Sequence, residues 1–177
     1  MKVVLHICCG VCAAGAADVL LREGHRVTGY FYNPNIYPEE EYRLRLKAAR
    51  RTSEQLKFEL VDGPYDIENW NSATAALGDE PEGGSRCSIC YRIRLEKTFG
   101  FMQEMGADAF TSTLTISPHK SAAEISRIGI EIGGDNYMSR DFKKKDGFKR
   151  AVELAKSWEL YRQNYCGCIY SLRGRRR

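Results

Sequence analysis

The chain has 177 residues, 43% hydrophobic and 28% charged, with a formal net charge of +4, which suits one domain with one sizeable core and leaves too little for a second. No apolar run approaches the ~20 residues needed to cross a bilayer, which excludes a membrane-spanning helix. The opening MKVVLHI lacks the longer apolar stretch and cleavage site of an export signal, so the seven cysteines are expected in a reducing cytoplasm, where clustered thiols bind metal or do redox chemistry.

In chain order, KVVLHI and HRVTGYFYN read as strands. GVCAAGAADVLLREG between them has helical spacing at Val11, Ala14, Val19 and Leu20 and a stopping Gly24, which together make a βαβ unit. After the turn NPNIYP, EEEYRLRLKAARRTSEQL begins with three acidic residues and continues with strong helix formers, a helix matched to its dipole; FELVD follows as a strand. DIENWNSATAAL reads as a helix, GDEPEGGS as a flexible loop, and CSICYRIRLEKTFGFMQEMG as a helix with its cysteines at the leading end. ADAFTSTLTIS reads as a strand, PHKSAAEISRIGIEIG as a helix opened by its proline, and DGFKRAVELAKSWEL as the last amphipathic helix. Strands alternating with helices predict a single α/β domain over residues 1–177, a mostly parallel sheet with helices on both faces.

The charge is uneven. From Ser139 to Arg177 there are 12 Lys plus Arg against 4 Asp plus Glu, while the preceding residues carry 15 against 19. A basic segment over about 139–177, containing RDFKKKDGFKR and SLRGRRR, is expected to attract polyanions, nucleic acid among them; a solvated basic face is the plainer reading.

The cysteines fall into short-spaced groups: Cys8 and Cys9 adjacent, Cys87 and Cys90 as CxxC, Cys166 and Cys168 as CxC, and Cys12 inside an alanine-rich helix. Short spacing lets several sulfurs reach one point, as zinc and iron–sulfur sites require, and both helix starts favour thiolates. A zinc site uses four ligands and leaves two paired thiols without a role. A thioredoxin-like CGVC at Cys9–Cys12 leaves the later pairs idle, whereas a four-sulfur cluster beside a redox-active pair employs six. A disulfide across the single residue Gly167 is strained and easily reduced; metal ligation by that pair is the competing reading. Cys12 is read equally as a buried small hydrophobe.

Taken in order, HICCGVC, YNPNIYPEEEYRLRL, GGSRCSICYRIRLEKT, FTSTLTISPHKS, DFKKKDG and YRQNYCGCIYS resemble the epoxyqueuosine reductases of the QueH type over nearly the whole chain. The resemblance implies a fold related to nucleotide-binding (HUP-like) α/β domains, a [4Fe–4S] cluster, and two-electron reduction of the epoxide of epoxyqueuosine in a tRNA anticodon, with electrons from an unidentified donor. It also implies that Cys8, Cys9, Cys87 and Cys90 ligate the cluster and that Cys166 and Cys168 are the redox-active pair. Val11 departs from the pattern, standing where relatives often carry proline.

Removing an epoxide oxygen takes two electrons, and a lone cluster passes one at a time, so a second redox element is expected. It is either the 166/168 dithiol or an additional iron acting as a Lewis acid. Asp66 and Asp141 are candidate carboxylate ligands, set against helix-cap or surface roles. Cys12 is a further candidate ligand. His6 and His119 are candidate proton donors, with His6 equally readable as a satisfied core histidine, and Tyr91 and Tyr165 are candidates for proton donation or base stacking. SPHK is no Gly-rich phosphate loop, and CCGVC stands where ATP-using relatives of the fold carry Ser-Gly-Gly, so ATP use is not expected. Arg86, Arg140, Lys143, Lys144, Lys145 and Arg162 are the candidate tRNA contacts. Two rival classes stand beside this reading: a metal-free thiol–disulfide oxidoreductase and a zinc-stabilised nucleic-acid-binding module.

Overall fold

Four short strands, β1 (Lys2–His6), β2 (Arg26–Phe31), β3 (Glu59–Asp62) and β4 (Ala109–Ser112), form an all-parallel sheet in the order β3-β2-β1-β4. The computed structural model describes residues 1–175; Arg176 and Arg177, the end of the basic tail, lie outside the described residues. Parallel neighbours cannot be joined by hairpins, and the crossovers are helical: α1 (Gly10–Arg22), α2 (Glu39–Leu56), then α3 (Ile67–Thr74) with α4 (Ser85–Glu104). After β4 come α5 (Ala122–Gly133), α6 (Gly147–Ser157) and α7 (Ile169–Arg175).

Side-chain alternation along the strands divides the core in two. Val3, Leu5 and Ile7 pack on one face with alanines of α1 and α6 and with Tyr42 and Ala49 of α2. Val4, Tyr30 and Tyr32 pack on the other with Leu95 of α4 and Ile125 and Ile128 of α5. Helices cover both faces, as the alternation of strands and helices predicts. Small residues let α1 lie close to its neighbours: a Cβ on Gly10 would stand 2.6 Å from the backbone of Ala48, and one on Gly15 would stand 2.8 Å from Ala151 Cβ.

Three details depart from the sequence reading. The strand expected over ADAFTSTLTIS ends at Ser112 and tightens into a 3-10 turn over Thr113–Ile116, because the Ser112 hydroxyl accepts from the Leu114 amide at 3.1 Å and draws the chain round. The next helix begins at Ala122 rather than at Pro118, with Ser121 as its cap accepting from Glu124 N at 3.2 Å. Helix α7 lies in a segment that the sequence marks only as basic.

The loops leaving β1, β2 and β4 gather at the carboxyl edge of the sheet. Between β1 and β4 the chain order reverses, and such a crevice is where parallel α/β sheets place their sites. Among the described residues no helix is long and apolar enough to cross a membrane.

Candidate metal and redox site

Directly beyond β1, Cys8 and Cys9 turn the chain into α1. Cys9 caps the helix, its sulfur accepting from the Cys12 amide at 3.4 Å. The Cys8 and Cys9 sulfurs are 3.9 Å apart, and the sulfurs of Cys8, Cys9 and Cys12 all lie within 4.8 Å of one another. Thr113, from the turn after β4, accepts from the Cys8 amide at 3.1 Å and donates to the Cys8 sulfur at 3.2 Å. The Cys12 and Cys9 thiols and the Thr113 hydroxyl, all bonding to one sulfur, hold the Cys8 thiol well below the ordinary range despite its burial. Cys12 moves well above that range, because its thiol proton is held by Cys8 and Cys9 and the group is buried. Three crowded sulfurs, one of them with its pKa lowered, are a donor set suited to a soft metal or an iron–sulfur centre.

Cys87 and Cys90 stand in the first turns of α4 and do not join that trio at ligand distance. The Cys87 sulfur accepts from Gly83 N at 3.2 Å. Cys90 packs with Trp70 and Cys168. One turn on, buried Arg94 donates from Nε to the Cys90 carbonyl at 3.0 Å and from Nη2 to the Cys90 sulfur at 3.1 Å. Burial opposes its charge, yet the sulfurs of Cys90, Cys166 and Cys8 raise its pKa. One guanidinium thus senses cysteines from three separate segments.

The third segment is held by α2. Arg45 donates from Nη1 to the Cys166 carbonyl at 2.9 Å and from Nη2 to the Tyr165 carbonyl at 3.1 Å, and its Nε pairs with Glu41 at 2.7 Å. Tyr161 OH donates to the other Glu41 oxygen at 2.5 Å. Gly167 sits at φ +121°, where side chains are strained, and a Cβ there would stand 2.9 Å from Arg45 Nη1. Both flanking thiols are free. The Cys168 thiol, bonding to the Cys166 sulfur, lowers the Cys166 pKa well below the ordinary range against the cost of burial, and Lys120, Arg94 and Arg45 add to that effect. Cys168 is shifted upward in return.

Cys8, Cys12 and Cys166 line one cavity of about 1170 Å³, shared with Arg94 and Lys120. Desolvation works against the Lys120 charge, and the facing Cys166 and Cys8 raise its pKa above the ordinary lysine value. Sulfurs from both ends of the chain therefore meet at a single polar, basic chamber.

The model of the epoxyqueuosine reductase QueH family matches residues 3–174. The chain belongs to the QueH family. It is 36% identical to epoxyqueuosine reductase QueH of Acinetobacter baylyi over 176 residues, covering 97% of this chain and 81% of that one. Membership makes it an oxidoreductase of queuosine biosynthesis. Among solved structures it is similar to a predicted subunit of tRNA methyltransferase from Methanocaldococcus jannaschii, with TM-score 0.58 and 17% identity over 88% of this chain and 76% of that one. It is also similar to the U34-tRNA thiolase NcsA from Methanococcus maripaludis with its [4Fe–4S] cluster, with TM-score 0.50 and 15% identity over 93% and 58%. At such identities these structures show the shared α/β fold.

The other candidate residues of this QueH-family chain are scattered. His6 is fully buried in β1, with Nδ1 bonded to the Ser112 hydroxyl at 2.9 Å and Nε2 to the Tyr32 carbonyl at 3.0 Å. Burial, with Arg94 nearby, lowers its pKa to about 4. His119 lines the cavity. Asp66 precedes α3 and makes no side-chain cap, and Asp141 pairs with Lys143 at 3.1 Å. Tyr91 is buried and burial raises its pKa to about 12; Tyr165 OH donates to the Tyr37 carbonyl at 2.5 Å. Arg86 is buried, donating to the carbonyls of Leu77, Gly78 and Glu80 at 2.8, 3.1 and 2.6 Å, with its guanidinium over the Tyr170 ring. Arg140 pairs with Glu23 at 3.0 Å. Lys144, Lys145 and Arg162 are exposed, and Arg162 is at the cavity wall.

Sequence reasoning did not single out Arg45, Lys120, Asn33, Asn35 or Gln163. Each lies in or beside a motif that resembles the family, but only the tertiary structure shows that they meet the cysteines.

Proposed function

We propose that this chain reduces the epoxide of epoxyqueuosine in a tRNA anticodon to the cyclopentene of queuosine. The observation that carries the reading is the single cavity lined by Cys8 from the loop after β1, by Cys12 from the first turn of α1 and by Cys166 from the CxC loop. Cys8, Cys9, Cys87 and Cys90 would hold a [4Fe–4S] cluster, and the Cys8–Cys9–Cys12 group, with sulfurs within 4.8 Å, favours metal on that side of the cavity. When bound, such a cluster supplies electrons one at a time at a potential set by its surroundings.

The protein's own residues balance the reaction. The epoxide gives up its oxygen as water and becomes an alkene, which takes two electrons and two protons. Cys166 and Cys168 supply both electrons as they pass from thiolate and thiol to disulfide, the Cys168 thiol supplies one proton and Lys120 or His119 the other, and an external reductant of unidentified kind restores the reduced pair. The low pKa of Cys166 and the free, partly exposed Cys166 sulfur support this assignment. Lys120 and His119 would pass a proton to the leaving oxygen, a reading that their position at the cavity wall supports. Lys144, Lys145 and Arg162 supply exposed charge for anticodon phosphates.

The test is anaerobic incubation of metal-reconstituted, reduced protein with tRNA carrying epoxyqueuosine, followed by nucleoside mass analysis. Conversion to a nucleoside lighter by one oxygen supports the reading. Unchanged epoxyqueuosine with a protein of full metal content contradicts it.

A further inference from the structure

Three buried amide oxygens beside the cysteine trio have no hydrogen-bond donor: Oδ1 of Asn33, Oδ1 of Asn35 and Oε1 of Gln163. All three residues line the cavity that Cys8, Cys12 and Cys166 share, and Asn33 and Asn35 are 0% and 2% exposed. Two of the amides are fixed in orientation by their own nitrogens. Asn33 Nδ2 donates to the Ile7 carbonyl at 2.8 Å, and Gln163 Nε2 donates to the Cys9 sulfur at 3.0 Å. Neither can turn its nitrogen round without losing that bond.

Buried acceptors without donors are rare and costly, and three around one chamber call for an occupant that donates. Sulfides, thiolates and phosphate oxygens are themselves acceptors, so a metal cluster or a phosphate leaves these oxygens unanswered. Hydroxyl and ammonium groups answer them. Neutral carboxamides also accept from an ammonium without pairing off Arg94 or Lys120, as a carboxylate in the same place would.

We infer that Asn33, Asn35 and Gln163 form a subsite that accepts hydrogen bonds from the hydroxyl and ammonium groups of an aminocyclopentanediol ring. The inference rests on the proposed function: the ring of epoxyqueuosine that loses its oxygen also bears two hydroxyls and a secondary ammonium. Asn33 is bonded to the residue before Cys8, and Gln163 to Cys9 itself. A ring held by these amides has its epoxide against the sulfurs, so the subsite both selects the substrate and sets its register.

The test compares binding of three anticodon stem-loops to anaerobic, metal-loaded protein. One carries queuosine, one carries 7-aminomethyl-7-deazaguanine, which has the same base and amine without the ring, and one carries guanine. A site built around hydrogen bonds discriminates strongly against a ligand lacking the donors, so wild-type protein is expected to prefer the queuosine stem-loop over the aminomethyl one by about tenfold or more. Asn35→Leu and Gln163→Leu each lower that preference to about threefold or less, with the larger loss of affinity on the queuosine stem-loop. Absence of the preference in wild type, its persistence in both leucine variants, or an equal loss of affinity for both stem-loops overturns the subsite. A wild-type protein that binds the guanine stem-loop as tightly as both deazaguanine ones overturns the reading on which the subsite rests.

Discussion

The Arg45 guanidinium bonds to the carbonyl of Cys166, 121 positions away in the chain, at 2.9 Å. A buried ion pair in the first two turns of α2 thereby fixes the position of the CxC loop. Removing one partner of such a pair leaves the other charged and unmatched, which costs about 3–5 kcal/mol. Arg45→Met is therefore expected to destabilise the protein by that amount, and Glu41→Gln/Arg45→Met to recover part of it, in anaerobic urea denaturation. Arg45→Lys keeps the charge but not the fork that spans two carbonyls, and it should slow conversion more than it lowers stability.

His6 gives stability a defined pH dependence. Its folded pKa of about 4 lies below the ordinary histidine value of 6.5 because burial disfavours the cation and Arg94 repels it. Between those values the unfolded chain binds the proton and the folded chain does not, so the contribution is present above pH 6.5 and is lost as pH falls toward 4. Lowering the pH from 7 to 5 should cost about 2 kcal/mol at this residue. The difference in pH dependence between wild type and His6→Gln, measured by denaturation at both values, isolates that contribution.

Much of the fold is legible in local chemistry. The helix at Glu39–Leu56 matches its sequence segment end to end, because three leading glutamates and a run of helix formers agree with the packing that α2 adopts. Ser121 was hidden as a cap because Pro118 offered an equally ordinary start three residues earlier. The cysteine loops were legible as chemistry, but their grouping was not. Cys12 reads in sequence as a helix-packed thiol, and only the turn after Cys9 brings its sulfur to Cys8. Arg45, Asn33 and Gln163 look like surface residues in a string of letters; burial, which depends on packing across the whole chain, is what gives them a role.

Exposed charge on the segment before α6 bears on the proposed tRNA partner. Lys143 Nζ is engaged with Asp141 and the Thr115 carbonyl, both at 3.1 Å, whereas Lys144 and Lys145 are exposed. Lys144→Glu/Lys145→Glu should weaken tRNA binding and reduce the slope of log affinity against log salt by about one for each phosphate that the variant no longer neutralises. Binding measured across a salt series checks this, and an unchanged slope removes these lysines from the interface.

The proposed function has sulfurs from the loop after β1 and from the start of α4 hold one inorganic centre beside the Cys166 thiol. Iron and acid-labile sulfide, measured in anaerobically reconstituted protein, test it most directly. About four of each per chain are expected in wild type, with loss of that content in both Cys8→Ser/Cys9→Ser and Cys87→Ser/Cys90→Ser, and full retention in Cys166→Ser/Cys168→Ser. Undiminished iron and sulfide in a folded Cys87→Ser/Cys90→Ser protein would contradict it.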